Sequence, residues 1–369
     1  MFKKLLPWYL LGLVILSLAF IYGCGSDATS GGGGGGATTH GTYSYHGTQS
    51  PGDVWSWTIS AETFFGSNET TGMWLTGTWE TLVNSGFGKA YISTAEGLNH
   101  PSAGDLAYFL EFPNTMLLVR PDNAGDSRVM VCAASASNPP DQDSYLFVNI
   151  SKLSWEASDP AFGTVEATKS GSVWNFDVTN YLITGEFSSR DAGTVDFVYS
   201  NGTFTDETGS VNTKIFMTPS SVFFGDSGTG NGGFAGAKLE TFSTSEFFAA
   251  LNHTYKGVRF IHYPASSYNT GETEPITCTK HTTLDALIAT SYSDIDTGAT
   301  YPGIMITFEA QQPTGFRKGY VEDFGDHHRE IIQCAISSIG PSGNKKYMLY
   351  GIGLDNLNRS FNFLIIQTD

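Results

Sequence analysis

The cadence of turns constrains this chain more than any other feature. From residue 41 on, short apolar and β-branched runs follow one another: "GTYSYH", "DVWSWTI", "GMWLTGTWETLV", "GFGKAYIST", "DLAYFLEF", "TMLLVR" and "RVMVCAA". Between them stand turn formers, "GTQSPG", "NSG", "FPNT" and "PDNAGD". Gaps this short leave no room for the crossover helices that parallel strands need, so each strand must pair antiparallel with a neighbour in sequence. The cadence resumes after a polar loop, "SNPPDQD", with "YLFVNI", "GTVEAT", "SVWNFDV", "TVDFVY", "GTFTD", "TKIFMT" and "SVFFG". Residues 199–204, "YSNGTF", carry an Asn-Gly hairpin signal, because glycine accepts the positive φ of a tight turn and asparagine tolerates it.

Residues 225–237, "GDSGTGNGGFAGA", read as a glycine-rich linker. The one stretch with helical signals follows, "STSEFFAALNH" at residues 243–253. Ser243 and Glu246 have capping-box spacing there, and Phe247, Phe248 and Leu251 share an apolar face. About eight further strand-like runs reach to "SFNFLIIQ". The expected fold is mainly β, with antiparallel sheets in two barrel- or sandwich-like domains, residues 41–224 and 238–369, and one short helix near residues 243–253. Composition agrees: the body is rich in Phe, Tyr, Trp, Thr, Val and Gly and poor in lysine, which is strand-and-turn chemistry.

The N-terminus, "MFKKLLPWYLLGLVILSLAFIYGC", is different in kind. Lys3 and Lys4 precede an uncharged apolar run over residues 5–22, whose length also permits a retained membrane-spanning anchor. The end of the run separates those readings. Ile21, Tyr22, Gly23 and Cys24 give an aliphatic residue, a tolerant position, a small residue and a cysteine. This resembles the lipobox of bacterial lipoprotein precursors and covers only about the first 24 residues. The resemblance implies a signal peptide over residues 1–23, cleavage after Gly23, and acyl lipid such as palmitate on Cys24. Two or three acyl chains hold a protein at a membrane where one is marginal. Residues 24–40 are rich in Gly, Ser and Thr and read as a flexible tether. Gly25, where an Asp favours inner-membrane retention, implies by the same family's sorting rule the outer membrane of a double-membraned bacterium.

The chain has 36 acidic and 19 basic residues and a net charge of −17, which disfavours nucleic acid and anionic lipid surfaces as partners. It holds neither a CxxCH nor a CxxC motif, which sets aside a c-type cytochrome and a thioredoxin-like protein. In an oxidising compartment Cys278 and Cys334, in the same half, are the candidate disulfide. Cys132, within "RVMVCAA", reads as a buried free thiol.

The remaining motifs are weighed against plainer readings. Gly225-Asp226-Ser227-Gly228 has the form of a serine-protease nucleophile loop, but "TGNGG" follows it and no histidine stands in a matching setting, so the linker reading is preferred. In "EDFGDHH", residues 322–328, Asp323, Asp326, His327 and His328 are weak candidate metal ligands. Successive side chains on a strand diverge, which favours a solvated turn. Asp294 and Asp296 form half of a calcium loop and read as a structural turn. Trp55 and Trp57 share a strand face, where they either stack on a sugar or line the core, and the core is favoured. No catalytic residue is assigned, and no cofactor is expected beyond the lipid on Cys24. The expected function is non-catalytic: a cell-envelope protein, anchored to the membrane by lipid, that binds a small ligand or a protein. An envelope hydrolase would need two carboxylates or a Ser–His pair converging in a cleft. A structural or assembly subunit would use exposed strand edges.

Overall fold

The computed structural model describes residues 43–49, 53–69, 71–97, 102–104, 106–112, 115–120, 128–133, 139–149, 162–181, 189–200, 203–208, 214–217, 222–226, 233–262, 271–301, 303–312, 315–323, 329–340, 345–354 and 360–369. The lipobox and the tether lie outside these residues. The described body is mainly β, and its strands pair antiparallel throughout, with neighbours in sequence except where a ring closes or the next begins.

The meander closes on itself three times. The first ring runs β1 (Tyr43–Gln49), β2 (Asp53–Ile59), β3 (Thr63–Asn68), β4 (Trp74–Thr81), β5 (Gly88–Glu96), β6 (Leu106–Phe112), β7 (Thr115–Arg120) and β8 (Arg128–Ala133). Its last strand returns to its first, with His46 opposite Ala133 and Gly47 opposite Cys132. The second ring runs β9 (Gln142–Asn149), β10 (Phe162–Ser170), β11 (Val173–Tyr181), β12 (Ser189–Ser200), β13 (Thr203–Asp206), β14 (Lys214–Met217), β15 (Val222–Asp226) and β16 (Gly233–Lys238), and closes by β16 pairing with β9. Helix α1 (Thr244–Ala250) leads into the third ring. That ring runs β17 (Tyr255–His262), β18 (Gly271–Lys280), β19 (Ala286–Asp294), β21 (Ile304–Gln311), β22 (Arg317–Asp323), β23 (Arg329–Ile339), β24 (Lys346–Leu354) and β25 (Ser360–Gln367). A two-residue strand, β20 (Ala299–Thr300), flanks β19. β25 pairs with β17 to close it.

An eight-stranded barrel is just wide enough for side chains to fill, and all three are filled. Trp55, Trp57, Phe64, Trp79, Phe109 and Cys132 occupy the first. Tyr145, Trp174, Phe176, Phe197 and Phe204 occupy the second. Ile276, Cys278, Ile306, Ile332, Cys334 and Phe363 occupy the third. A large ring in so narrow a space needs a small residue opposite. A Cβ on Gly66 would stand 2.5 Å from the Trp57 ring, so this strand position is glycine despite its poor strand propensity.

A fourth apolar cluster lies outside the rings and joins them. Leu82, Phe87 and Leu110 come from the first ring, Leu146, Val148 and Phe162 from the second, and Phe316, Met348, Tyr350 and Leu364 from the third. β24 and β25 therefore have no wet face. Leu349 and Phe363 point into the barrel, while Met348 and Leu364 point into the shared cluster. Burial on both faces is why "KYMLYGIGL" and "SFNFLIIQ" lose the apolar–polar alternation. Burying a Phe or Leu side chain stabilises by about 1.5–3 kcal/mol, so this cluster is a large term in holding the rings as one unit, residues 40–369.

Helix α1 carries the expected capping box, with Ser243 and Glu246 bonded reciprocally. Its C-cap is Leu251, so it is shorter than the expected 243–253. Phe247, Ala250 and Leu251 close one end of the third barrel. The Asn-Gly signal also holds: Ser200 pairs with Thr203 across a two-residue connection.

Two expectations need correction. The glycine-rich stretch 225–237 is not a linker between two domains, because it includes the end of β15 and most of β16, which close the second ring. Its small residues serve packing: a Cβ on Gly225 would lie 2.3 Å from the Phe234 ring, and Ala235 and Ala237 fit the crowded shared cluster. Cys278 and Cys334 do not form a disulfide. Both are free and buried. They stand on β18 and β23, four strands apart either way around an eight-strand ring, whereas a disulfide needs Cα atoms within about 7 Å.

Candidate functional site

With the barrel interiors filled, recognition chemistry is left to ends and outer faces. Three such places are built from described side chains.

The first is a cleft of about 400 Å³ at the α1 end of the third barrel, between the helix and the β18–β19 turn. Phe248 and Ala249 line it from the helix, and Lys280, His281 and Leu284 from the turn. Phe248 is half-buried, because the neighbouring Phe247 takes the inward position. Lys280 Nζ lies 5.7 Å from the Phe248 ring centroid and 2.8 Å from Asp285 Oδ1. His281 Nδ1 accepts the backbone N–H groups of Thr283 at 3.2 Å and Leu284 at 3.1 Å. Those two donors place the proton of the neutral ring on Nε2. Leu284 is 46% exposed. The cleft thus offers an aromatic face, an aliphatic edge and a cation partly balanced by its own carboxylate.

The second lies toward the opposite end of the same barrel. Arg259, Glu274 and Ser291 stand on β17, β18 and β19 at inward-facing positions. Arg259 Nε and Nη2 donate to Glu274 Oε2 at 3.0 and 2.5 Å, and Ser291 Oγ donates to the same oxygen at 2.6 Å. A carboxylate held by three donors from adjacent strands is a polar cap on an apolar core. Asp323 ends β22 toward this same end, opposite Ile304. The other three metal candidates, Asp326, His327 and His328, lie outside the described residues. Among the described residues no group of three His, Cys, Asp or Glu could hold a metal ion.

The third is the outer face of the first barrel over β2–β5. Phe65 is 46% exposed and sits mid-strand. Its ring stacks beside that of Trp74, with centroids 6.3 Å apart and planes 23° apart. The strand register sets hydroxyls around both. One row across the sheet reads Thr58, Phe65, Thr76, Thr94, and the next reads Ser56, Ser67, Trp74, Glu96.

The remaining sequence candidates resolve as structure. Trp55 and Trp57 stack at 5.2 Å inside the first barrel and are core. Asp294 Oδ1 accepts from the Asp296 amide at 3.0 Å in a turn, and the Thr297 hydroxyl together with that amide holds its carboxyl below the usual range. Asp296 pairs with Lys89 of the first ring. Cys132 is buried and free, as its apolar run suggests. Cys24 and residues 227–228 lie outside the described residues.

Sequence reasoning passed over Phe65 and Trp74, although a signal was present. Neighbouring residues on a strand face opposite sides. In "TFFGSN" one of two adjacent phenylalanines must point outward, and in "MWLTG" either Trp74 or Leu75 must. Comparison with known proteins adds no relative. No protein-family model matches the chain, and no curated protein matches it.

Proposed function

We propose that this chain is a lipid-anchored protein of the bacterial cell envelope, at the outer membrane, that binds a ligand or partner and does not act as a catalyst. The lipobox at residues 21–24 supports the anchor, with lipid on Cys24 as its one covalent addition. The Gly/Ser-rich residues 24–40 support a tether that holds the body clear of the headgroups. The net charge of −17 supports a partner other than nucleic acid. The observation that carries the binding reading is the cleft beside α1. It is of small-ligand size, has an aromatic face and few convergent polar groups, and lies at the end of a barrel, where ligand sites recur.

Two measurements test this. Expressed in a double-membraned bacterium with labelled palmitate, the full chain should take up label and sediment with outer membrane, and Cys24→Ala should do neither. An unlabelled wild-type chain rejects the anchor. Native mass spectrometry of the full chain after incubation with envelope extract should then show a mass excess that Phe248→Ala removes. A clean apo mass for the wild type rejects a tight small ligand in the cleft.

A further inference from the structure

We propose that the outer face of the first barrel over β2–β5 is a binding surface for a neutral, ribbon-like β-1,4-linked glycan, with Phe65 and Trp74 as its stacking platform. The surface is separate from the cleft beside α1, and the inference does not depend on it.

Three observations point to this occupant. The first is the platform. Two aromatic rings on neighbouring strands, with centroids 6.3 Å apart and planes within 23° of parallel, stack on an outward sheet face. Phe65 is among the few large apolar side chains that the described body leaves exposed. A pyranose with equatorial hydroxyls presents axial C–H bonds on its flat faces, and these partly positive hydrogens meet the negative face of an aromatic ring. The second is what surrounds the rings. Phe65 has Thr58 and Thr76 beside it across the sheet, and Trp74 has Ser67 and Glu96. A sugar lying flat directs its hydroxyls sideways, toward such groups. Protein-binding patches are instead enriched in Met, Arg and further aromatics at their centres.

The third is charge. The acidic groups described at this face are three carboxylates: Glu69, which accepts from Ser56, Glu80, which accepts from Tyr91 at 2.7 Å, and Glu96. Lys89, at its far corner, is taken up by Asp296. An anionic lipid or a phosphorylated partner would meet like charge here, within a chain of net charge −17. A neutral glycan, whose hydroxyls donate to carboxylates, meets complementary chemistry.

The test is titration calorimetry of the full chain with cellohexaose and with chitohexaose, using maltohexaose, whose α-linkage curls the chain, as the comparison. Saturable binding of at least one β-1,4 hexasaccharide is expected, weaker or absent with maltohexaose. Phe65→Ala and Trp74→Ala should each weaken it about tenfold or more, while Trp74→Tyr retains most of it. Both positions are outward, so thermal unfolding midpoints report that the three variants remain folded. Absence of heat with both β-1,4 sugars overturns the proposal, and so does equal binding by wild type and Phe65→Ala. A parallel arm uses the unlipidated Cys24→Ala chain with phosphatidylcholine vesicles. Vesicle binding that Phe65→Ala abolishes would assign the face to the membrane and also overturn the proposal. Phe248 is intact in every variant, so a negative result here leaves the cleft reading standing.

Discussion

The guanidinium carbon of Arg317 lies 4.0 Å from the centroid of the Phe247 ring. One residue comes from α1 and the other from the start of β22, and their contact fastens the helical plug to the third barrel. Arg317 is 2% exposed. Its Nη1 donates to the Glu309 carbonyl at 3.2 Å and its Nη2 to the Phe242 carbonyl at 3.1 Å. Phe247 in turn meets Phe308 edge-on at 5.2 Å. A planar cation that stacks and donates in two directions is not replaced by an ammonium. Arg317→Lys should therefore destabilise nearly as much as Arg317→Ala, by about 2–4 kcal/mol, since neither keeps the planar stack on Phe247 together with the paired bonds to the Glu309 and Phe242 carbonyls. Urea unfolding midpoints check this, and a Lys variant as stable as wild type would contradict it.

The thiols give a second expectation. Burial pushes Cys278 and Cys334 up to about 12 and pushes Cys132 up as well. The thiolate is the reactive form, so the folded protein should be silent to a thiol-specific reagent at neutral pH at these three positions. Denaturant should release all three. A reductant should leave the thermal midpoint unchanged. Two missing thiols and a midpoint that falls on reduction would instead reveal a disulfide.

Alkaline pH should unfold the body. Tyr255, Tyr350 and Tyr145 are buried, and burial raises each phenol above its ordinary range. Above about pH 10 the unfolded chain loses these protons and the folded chain keeps them. The stabilisation they contribute is thus complete below pH 10 and is lost as pH rises further. Lys256 works the other way: burial lowers its value, so raising pH through that window favours the fold. Three tyrosines outweigh one lysine, and stability measured in urea should fall steeply above about pH 10. Tyr255→Phe loses the bond from its hydroxyl to the Ala250 carbonyl, 2.6 Å, at a cost of about 1 kcal/mol at neutral pH. It should also make the alkaline fall shallower.

The three barrels should melt together. Phe316 of the third meets Phe162 of the second edge-on at 5.0 Å, and both are fully buried. Tyr350 Oη donates to the Leu146 carbonyl at 3.2 Å, and Glu240 Oε2 accepts from Ser338 N at 2.7 Å. Calorimetry should show one transition. Phe316→Ala should lower stability by about 3–5 kcal/mol and broaden or split the peak. Three separate peaks in the wild type would mean that the shared cluster couples the rings weakly.

What was legible in the sequence was local. Alternation and turn residues gave the antiparallel meander, and Ser243 with Glu246 gave the helix start. The closures were not legible. That β8 returns to β1, placing Cys132 beside Gly47, depends on twist accumulated over a whole ring, and nothing near either residue records it. The glycines of 225–237 misled for a related reason. Glycine marks a loop and equally marks a strand pressed against an aromatic ring, and only the partner, Phe234, tells the two apart. The outward Phe65 is hard to read for a similar reason: alternation shows that one of Phe64 and Phe65 faces out, and only the closed ring shows which.

A ring has no first and last strand. Backbone amides and carbonyls that would face outward at the border of an open sheet are here bonded to the strand that closes it, and among the described strands only the two-residue β20 stands at a margin. Among the described strands, assembly by adding one chain's strand to another's has no starting point beyond that short margin. Crowded together, copies of this protein would lie side by side without templating one another through these strands. On the described strands, the groups left to meet a neighbour are side chains.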